Sequence, residues 1–320
     1  MRNIRWGILG AGHIAGKWAS DLALVPNASL QAVWARDTAK ATEFGNTHGA
    51  ARVAETVGEL LSQGDLDAVY VATPHGRHRD DVVSCLDAGI PVLCEKAFAL
   101  NTAQAREMVD LARSRKVFLM EAMWTRFLPS FLEAKRLVDS GEIGQVLSIT
   151  TDFGFHAPYA PDRRLWDPAM GGGALLDIGL YPLLFAREFL GPFESFEVEW
   201  TPAPNGVDRR VEVRGRHAVG AVSESVATFD ESTPCVSYLE GSEGSLVFQR
   251  MFHTPTDLVV SGRDGISRRI LSDRNGHGYQ HEAAHVGNCL RQGLLESPMW
   301  PLSRTLEQME LLDAVRAAMT

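Results

Sequence analysis

The chain has 320 residues, 45% of them hydrophobic and 22% charged, with a net charge of −9 at pH 7. That length accommodates two domains with substantial cores, and the acidic balance argues against a nucleic acid or an anionic membrane as partner. The four cysteines (Cys85, Cys94, Cys235, Cys289) show no framework spacing and read as reduced thiols. The opening residues run directly into an apolar stretch, leaving no room for a signal peptide. No apolar run reaches the roughly 20 residues of a membrane span, so a cytoplasmic protein is expected.

Over the first 120 or so residues, short apolar strands alternate with helical patterns, as parallel βαβ units require. The strand at 4–9 is followed by a helix over 14–25, stopped by Pro26-Asn27. Strands are predicted at 30–35, 67–72, 90–94 and 117–120, and helices at 56–63, 80–88 and 102–115, the last with Thr102 as N-cap. Beyond Ala122 the texture changes. A helix at 130–140 leads to a strand at 146–152, an aromatic segment (Phe153-Gly154-Phe155-His156) and a helix opening at Gly173-Ala174. Seven alternating stretches between 195 and 271 predict a largely antiparallel sheet, and two helices finish the chain at 279–292 and 302–319. The expected fold is α/β: a Rossmann dinucleotide-binding domain over 1–122, then a substrate-binding α+β domain over 123–320 with a large open sheet, its last helix packing back on the first domain.

Gly10-Ala11-Gly12-His13-Ile14-Ala15 follows the first strand and opens the first helix. Gly10 allows the tight turn, Gly12 lets backbone approach a pyrophosphate, and Ala15 keeps the helix close to the strand. The helix N-terminus then offers its unpaired N–H groups, those of His13 and Ile14 included, to the phosphates. At the end of the second strand an acid would accept the ribose 2′-OH of NAD. Here the sequence reads Ala35-Arg36-Asp37, and Arg36 suits the 2′-phosphate of NADP. The alternative places Asp37 in the acid's role, so NAD stays open.

These residues, with Ala72-Thr73-Pro74-His75-Gly76-Arg77-His78 and Glu95-Lys96, resemble the three N-terminal motifs of the Gfo/Idh/MocA oxidoreductases. Met120–Phe127 and Gly171–Pro182 resemble the branch of dimeric dihydrodiol dehydrogenases and NADP-dependent D-xylose dehydrogenases. The resemblance spans nearly the whole chain. It implies that Thr73, Pro74, His75, His78 and Glu95 line the cofactor cleft, that Lys96 is catalytic, and that two subunits pair through the C-terminal sheet. One departure is Ala97, where the family usually has proline after Glu-Lys.

Oxidising an alcohol with NADP⁺ needs a base for the hydroxyl proton. Tyr181 is the candidate, with Lys96 favouring its phenolate and hydrogen-bonding the reacting oxygen. Asp177, one helical turn earlier, opposes that effect and is expected to accept a substrate hydroxyl or to hold Lys96; whether Tyr181 or Lys96 exchanges the proton directly stays open. Trp124, Phe153, Phe155 and Trp166 are candidates for an aromatic wall, and Arg126 for orienting hydroxyls. The expected activity is hydride transfer between NADP(H) and a sugar or vicinal diol, an aldose such as D-xylose or a trans-dihydrodiol. The rivals are an NAD-dependent glycosidase of the same family and a non-catalytic cofactor-sensing regulator. His281-Glu282-Ala283-Ala284-His285 matches the zinc-protease motif HExxH, but is read as a chance match, with no metal expected.

Overall fold

The structure is a computed structural model that describes residues 2–319. It divides into two compact units, one running to Arg126 and including Asn275–Glu310, the other comprising Phe127–Arg274 and the residues from Leu311 onward.

The first unit begins with β1 (Ile4–Leu9), α1 (His13–Leu22), β2 (Ala28–Trp34), α2 (Thr38–His48), β3 (Arg52–Val53) and α3 (Val57–Ser62). It continues through β4 (Ala68–Val71), α4 (His75–Asp87), β5 (Val92–Glu95), α5 (Thr102–Arg115) and β6 (Leu119–Ala122). The strands form one parallel sheet in the order β3-β2-β1-β4-β5-β6, the doubly wound arrangement whose strand ends gather along one edge. Strands β4, β5 and β6 are buried at every position, which is why they read as continuous apolar runs.

Three local differences from the sequence expectation have plain causes. Helix α2 escaped notice because it buries only Ala41, Phe44 and Gly45, too few apolar positions to show a helical period. Helix α4 starts at His75 rather than Asp80: Pro74 stands at the N-cap with φ −60°, so the proline that ends β4 also launches the helix. The N-cap of α5 is Asn101, whose side chain accepts from the Gln104 amide at 3.0 Å. Thr102 is the first helical residue.

The second unit contains α6 (Pro129–Asp139), β7 (Val146–Gly154) and α7 (Leu180–Leu190), the last preceded by a π turn at Leu175–Gly179. There follow β8 (Phe193–Pro202), β9 (Asp208–His217), β10 (Val222–Thr228), β11 (Ser237–Gly241), β12 (Gly244–Phe248), β13 (Leu258–Gly262) and β14 (Ser267–Ile270). These strands make an eight-stranded sheet in the order β14-β13-β12-β11-β7-β10-β9-β8, antiparallel except for the β7–β10 pair. Helix α7 packs on β7 and β10, and Phe185 meets Phe131, Phe248 and Phe252 in the core. The stretch Pro168–Leu190 is long and apolar enough to cross a membrane, which the sequence reading did not anticipate; 83% of its most apolar window is buried inside the protein. A helix apolar all round belongs in a core of this kind.

The chain ends with α8 (Tyr279–Arg291) and α9 (Leu302–Ala317). Helix α8 packs on α1, and the fastening is Asp21, 1% exposed near the C-terminal end of α1. Its carboxylate accepts from the backbone amides of His277 and Tyr279 at 2.9 and 2.8 Å and from His277 Nδ1 at 3.0 Å. Replacing Asp21 by Ala orphans buried donors and should cost about 3 kcal/mol, measured as a lower urea midpoint for the unfolding of the first unit.

Candidate active site

The turn after β1 is built for an anionic group. Gly10 has φ +107°, and a Cβ there would lie 2.7 Å from the carbonyl oxygen of Ala72, so any side chain would be strained and would strike backbone. Its amide donates to the Trp34 carbonyl at 2.8 Å, tying the turn to the end of β2. Around Gly12 there is open space: a Cβ would meet nothing within 4 Å. Helix α1 has no side-chain cap and no acid in its first turn, so its leading N–H groups and positive dipole end are available to phosphate. His13 is exposed and Ile14 partly so.

At the end of β2, Ala35 follows the last strand residue. The Asp37 carboxylate accepts from the Lys40 amide at 3.2 Å as the N-cap of α2, so it already serves the helix. Arg36 is the exposed charged residue between strand and cap.

The loop after β5 is anchored at several points. Glu95, buried at 4% exposure, accepts from the Tyr70 hydroxyl and, at 3.1 Å, from the Lys96 amide. Burial, and then the charge of Glu95, push the Tyr70 phenol well above its ordinary range, so it stays protonated and donates. Tyr70 in turn stacks on Trp18 with centroids 4.3 Å apart. His75 Nε2 donates to the Lys96 carbonyl oxygen at 3.1 Å. His78 lies wholly buried between the carbonyl oxygens of Ala97 (2.9 Å) and Thr73 (2.7 Å). Burial lowers its pKa, so the ring is neutral and donates to one of the two carbonyls. The Thr73 hydroxyl donates to Asp81 at 2.7 Å, and Pro74 is exposed at the start of α4. The Lys96–Ala97 peptide is cis.

Among the substrate candidates of the first unit, Trp124 is 4% exposed and stacks on Tyr279 at 4.4 Å, and Arg126 is half-buried. In the second unit, Asp177 lies in the π turn and accepts from Arg164 at 2.9 Å. Tyr181 follows in the first turn of α7, its ring 5.1 Å from that of His253 and 5.9 Å from that of Phe153. His253 itself stacks on Phe153 at 4.2 Å. Phe155 packs against Phe229. Trp166 donates to the Pro158 carbonyl at 3.1 Å and lines a cavity of about 560 Å³ with Tyr159, Arg209, Phe229 and Asp230. Neither Asp177 nor Tyr181 lines that cavity. Tyr70, Arg164 and His253 were missed by sequence reasoning. Tyr70 reads as an ordinary strand residue, and the partners of the other two are brought together only by folding.

The HExxH segment lies on α8, but its parts diverge. Glu282 is fully buried, and its carboxyl is pushed well above the ordinary range, first by burial and then by Glu95. His285 Nε2 contacts the Ser297 hydroxyl at 2.8 Å. Among the described residues no three His, Cys, Asp or Glu side chains gather as metal ligands.

Comparison with known proteins agrees with this geometry. Residues 4–123 match the description "Oxidoreductase family, NAD-binding Rossmann fold", and residues 131–247 match the GFO/IDH/MocA C-terminal domain. The trans-1,2-dihydrobenzene-1,2-diol dehydrogenase of Mus musculus is 35% identical over 98% of this chain and 96% of its own length. The chain belongs to the Gfo/Idh/MocA oxidoreductase family. The corresponding dehydrogenase of Homo sapiens is also 35% identical with the same coverage. Among solved structures, a 3-ketoreductase from Actinomadura kijaniata in complex with NADP and TDP-benzene superposes with a TM-score of 0.86 at 26% identity, covering 99% of this chain and 98% of that one. The fold is shared as well by an aldose-aldose oxidoreductase from Caulobacter crescentus, with a TM-score of 0.88, 23% identity and coverage of 99% and 97%.

The Gly-rich turn, the open α1 terminus and the restrained Lys96 loop fit the nicotinamide dinucleotide that an oxidoreductase of this family uses. Gly10→Ala forces a Cβ into the Ala72 carbonyl. It should abolish measurable NADPH binding by fluorescence titration while leaving the melting of the second unit unchanged.

Proposed function

We propose that this Gfo/Idh/MocA enzyme is an NADP(H)-dependent dehydrogenase acting on the CH–OH group of a sugar or vicinal diol, an aldose such as D-xylose or a trans-dihydrodiol. The observation that carries the reading is the restraint of the Lys96 loop on the sheet that bears the Gly-rich turn. In the strand order, β5 is two places from β1, roughly 10 Å along the edge where parallel strands end. A dinucleotide held at α1 spans that distance. The names of the relatives, dehydrogenases of a dihydrodiol, support the substrate class, and Arg36 supports NADP over NAD.

The cofactor, when bound, supplies the hydride acceptor. Gly12, His13 and Ile14 would hold its phosphates through backbone N–H groups on the turn that Gly10 shapes, and Arg36 would pair with a 2′-phosphate. Thr73, Pro74, His75, His78 and Glu95 support the cleft, His75 and Glu95 by fixing the Lys96 backbone. Tyr181 takes the hydroxyl proton as general base; the Lys96 ammonium favours the phenolate and hydrogen-bonds the oxygen as it becomes a carbonyl. Asp177, oriented by Arg164, accepts a second hydroxyl of the substrate, and Trp124, Arg126, Phe155 and Trp166 shape its binding. The face of the large sheet turned away from α7 carries Thr150, Val222 and Tyr238, all exposed on the adjacent strands β7, β10 and β11. A second copy of the chain is the proposed occupant of that face, giving a homodimer.

The test is reduction of NADP⁺ and NAD⁺ across a panel of aldoses, inositols and trans-dihydrodiols. Turnover with an aldose or diol is expected, with Lys96→Met losing about 10³-fold or more in kcat while still binding NADPH. A Lys96→Met enzyme that keeps most of its turnover overturns the assignment. Arg36→Ala should raise KM for NADP⁺ by about tenfold or more and leave KM for NAD⁺ nearly unchanged; equal effects on both would remove the NADP preference.

A further inference from the structure

Asp177 and Tyr181 stand on a turn that lacks a cap of its own. Ala174, the residue before the π turn, makes no side-chain hydrogen bond to it. The missing acceptor comes from another element: the Leu175 amide donates to Asp208 Oδ2 at 2.6 Å, from the first residue of β9. The fit is close enough to dictate a neighbour's identity. Gly173 has φ +123°, and a Cβ there would lie 2.2 Å from Asp208 Oδ1, so a side chain at 173 would displace the carboxylate. From the other side, Arg164 holds the Asp177 side chain. One charged group thus secures the backbone of the turn, and another secures its acid.

We propose that Asp208 is a positioning residue for the proton-transfer turn: its carboxylate, carried in by β9, caps the start of the helix and so sets where Asp177 and Tyr181 stand. The proposal rests on Tyr181 being the general base of the preceding section. A carboxylate at a helix N-terminus meets both unpaired N–H groups and the positive end of the dipole. Those facing Asp208 are the amides of Ala174 and Leu175 from the turn and its own amide from β9, with the charge of Arg316 from α9 acting at longer range. Burial outweighs them and pushes its carboxyl up to about 6. Because the folded value is raised, the ionised form weighs against stability: stability falls as pH rises from about 4 to about 6, and the cap charge is lost below about 6. A charge kept despite that cost suits a group retained for geometry.

The test compares wild type, Asp208→Ala, Asp208→Asn and Tyr181→Phe as full-length protein. Hydrogen exchange over 174–181 is followed by mass spectrometry, and kcat and KM from pH 5 to 8 with NADP⁺ and the best substrate of the panel. In Asp208→Ala, exchange over 174–181 should rise about tenfold, and kcat should fall by about as much, with KM for NADP⁺ within about threefold of wild type. Asp208→Asn keeps an acceptor without the charge. It should keep most of the protection and most of the wild-type kcat, and melt at higher temperature than wild type at pH 7.5. Unchanged exchange in Asp208→Ala overturns the proposal, as does exchange over 174–181 in Asp208→Asn that is as fast as in Asp208→Ala. Tyr181→Phe with full turnover overturns instead the use of Tyr181 as base, and leaves the exchange result to judge the cap.

Discussion

Glu95 occupies the last position of β5 with its carboxylate out of water, and both the tyrosine of the neighbouring strand and the following amide donate to it. A buried carboxylate stripped of such donors would be very costly, so the strand end, Tyr70 and the Lys96 backbone are held as one unit. The backbone of the lysine is placed by that constraint. His75 adds to it from α4 by donating to the Lys96 carbonyl, and the buried His78 ring lies between the carbonyls of Thr73 and Ala97. A loop without the family's usual proline is thereby restrained by hydrogen bonds.

The same region accumulates buried acids. Glu121, paired in register with Cys94, accepts from Trp300 at 3.1 Å, and burial pushes its carboxyl up to about 7. Glu282 enters from α8, and its carboxyl is pushed well above the ordinary range for the same reason. Desolvation dominates each case, and the charge of Glu95 adds to it. The glutamate that makes the HExxH pattern look like a protease motif is a fully buried core residue.

In the second unit, stability and function pull on one stretch of chain. Pro168–Leu190 is apolar enough to be the core on which the large sheet packs, yet it opens with a turn that buries Asp177 beside Arg164 and takes its cap from Asp208. Apolar burial fixes the helix against β7 and β10, and the polar contacts fix its first turn. Tyr181 sits where these two regimes meet, with aromatic neighbours around its ring.

Much of this was legible in the residues alone. The strands of the first unit announce themselves because a parallel sheet covered on both faces must be apolar at every position. The Gly-rich turn announces itself because only glycine tolerates φ +107° against the Ala72 carbonyl. Helix α2 was silent because it buries too few residues to leave a period. What chain order could not supply were the pairings across it. Asp21 meets the start of α8 some 256 residues away, Tyr70 meets Glu95, and Asp208 caps a turn 33 residues before it. Local sequence encodes which backbone conformations and which burial are possible. Which carboxylate meets which amide is decided when strands align and helices dock, because a hydrogen bond depends on distances of a few ångströms that only the packed chain fixes.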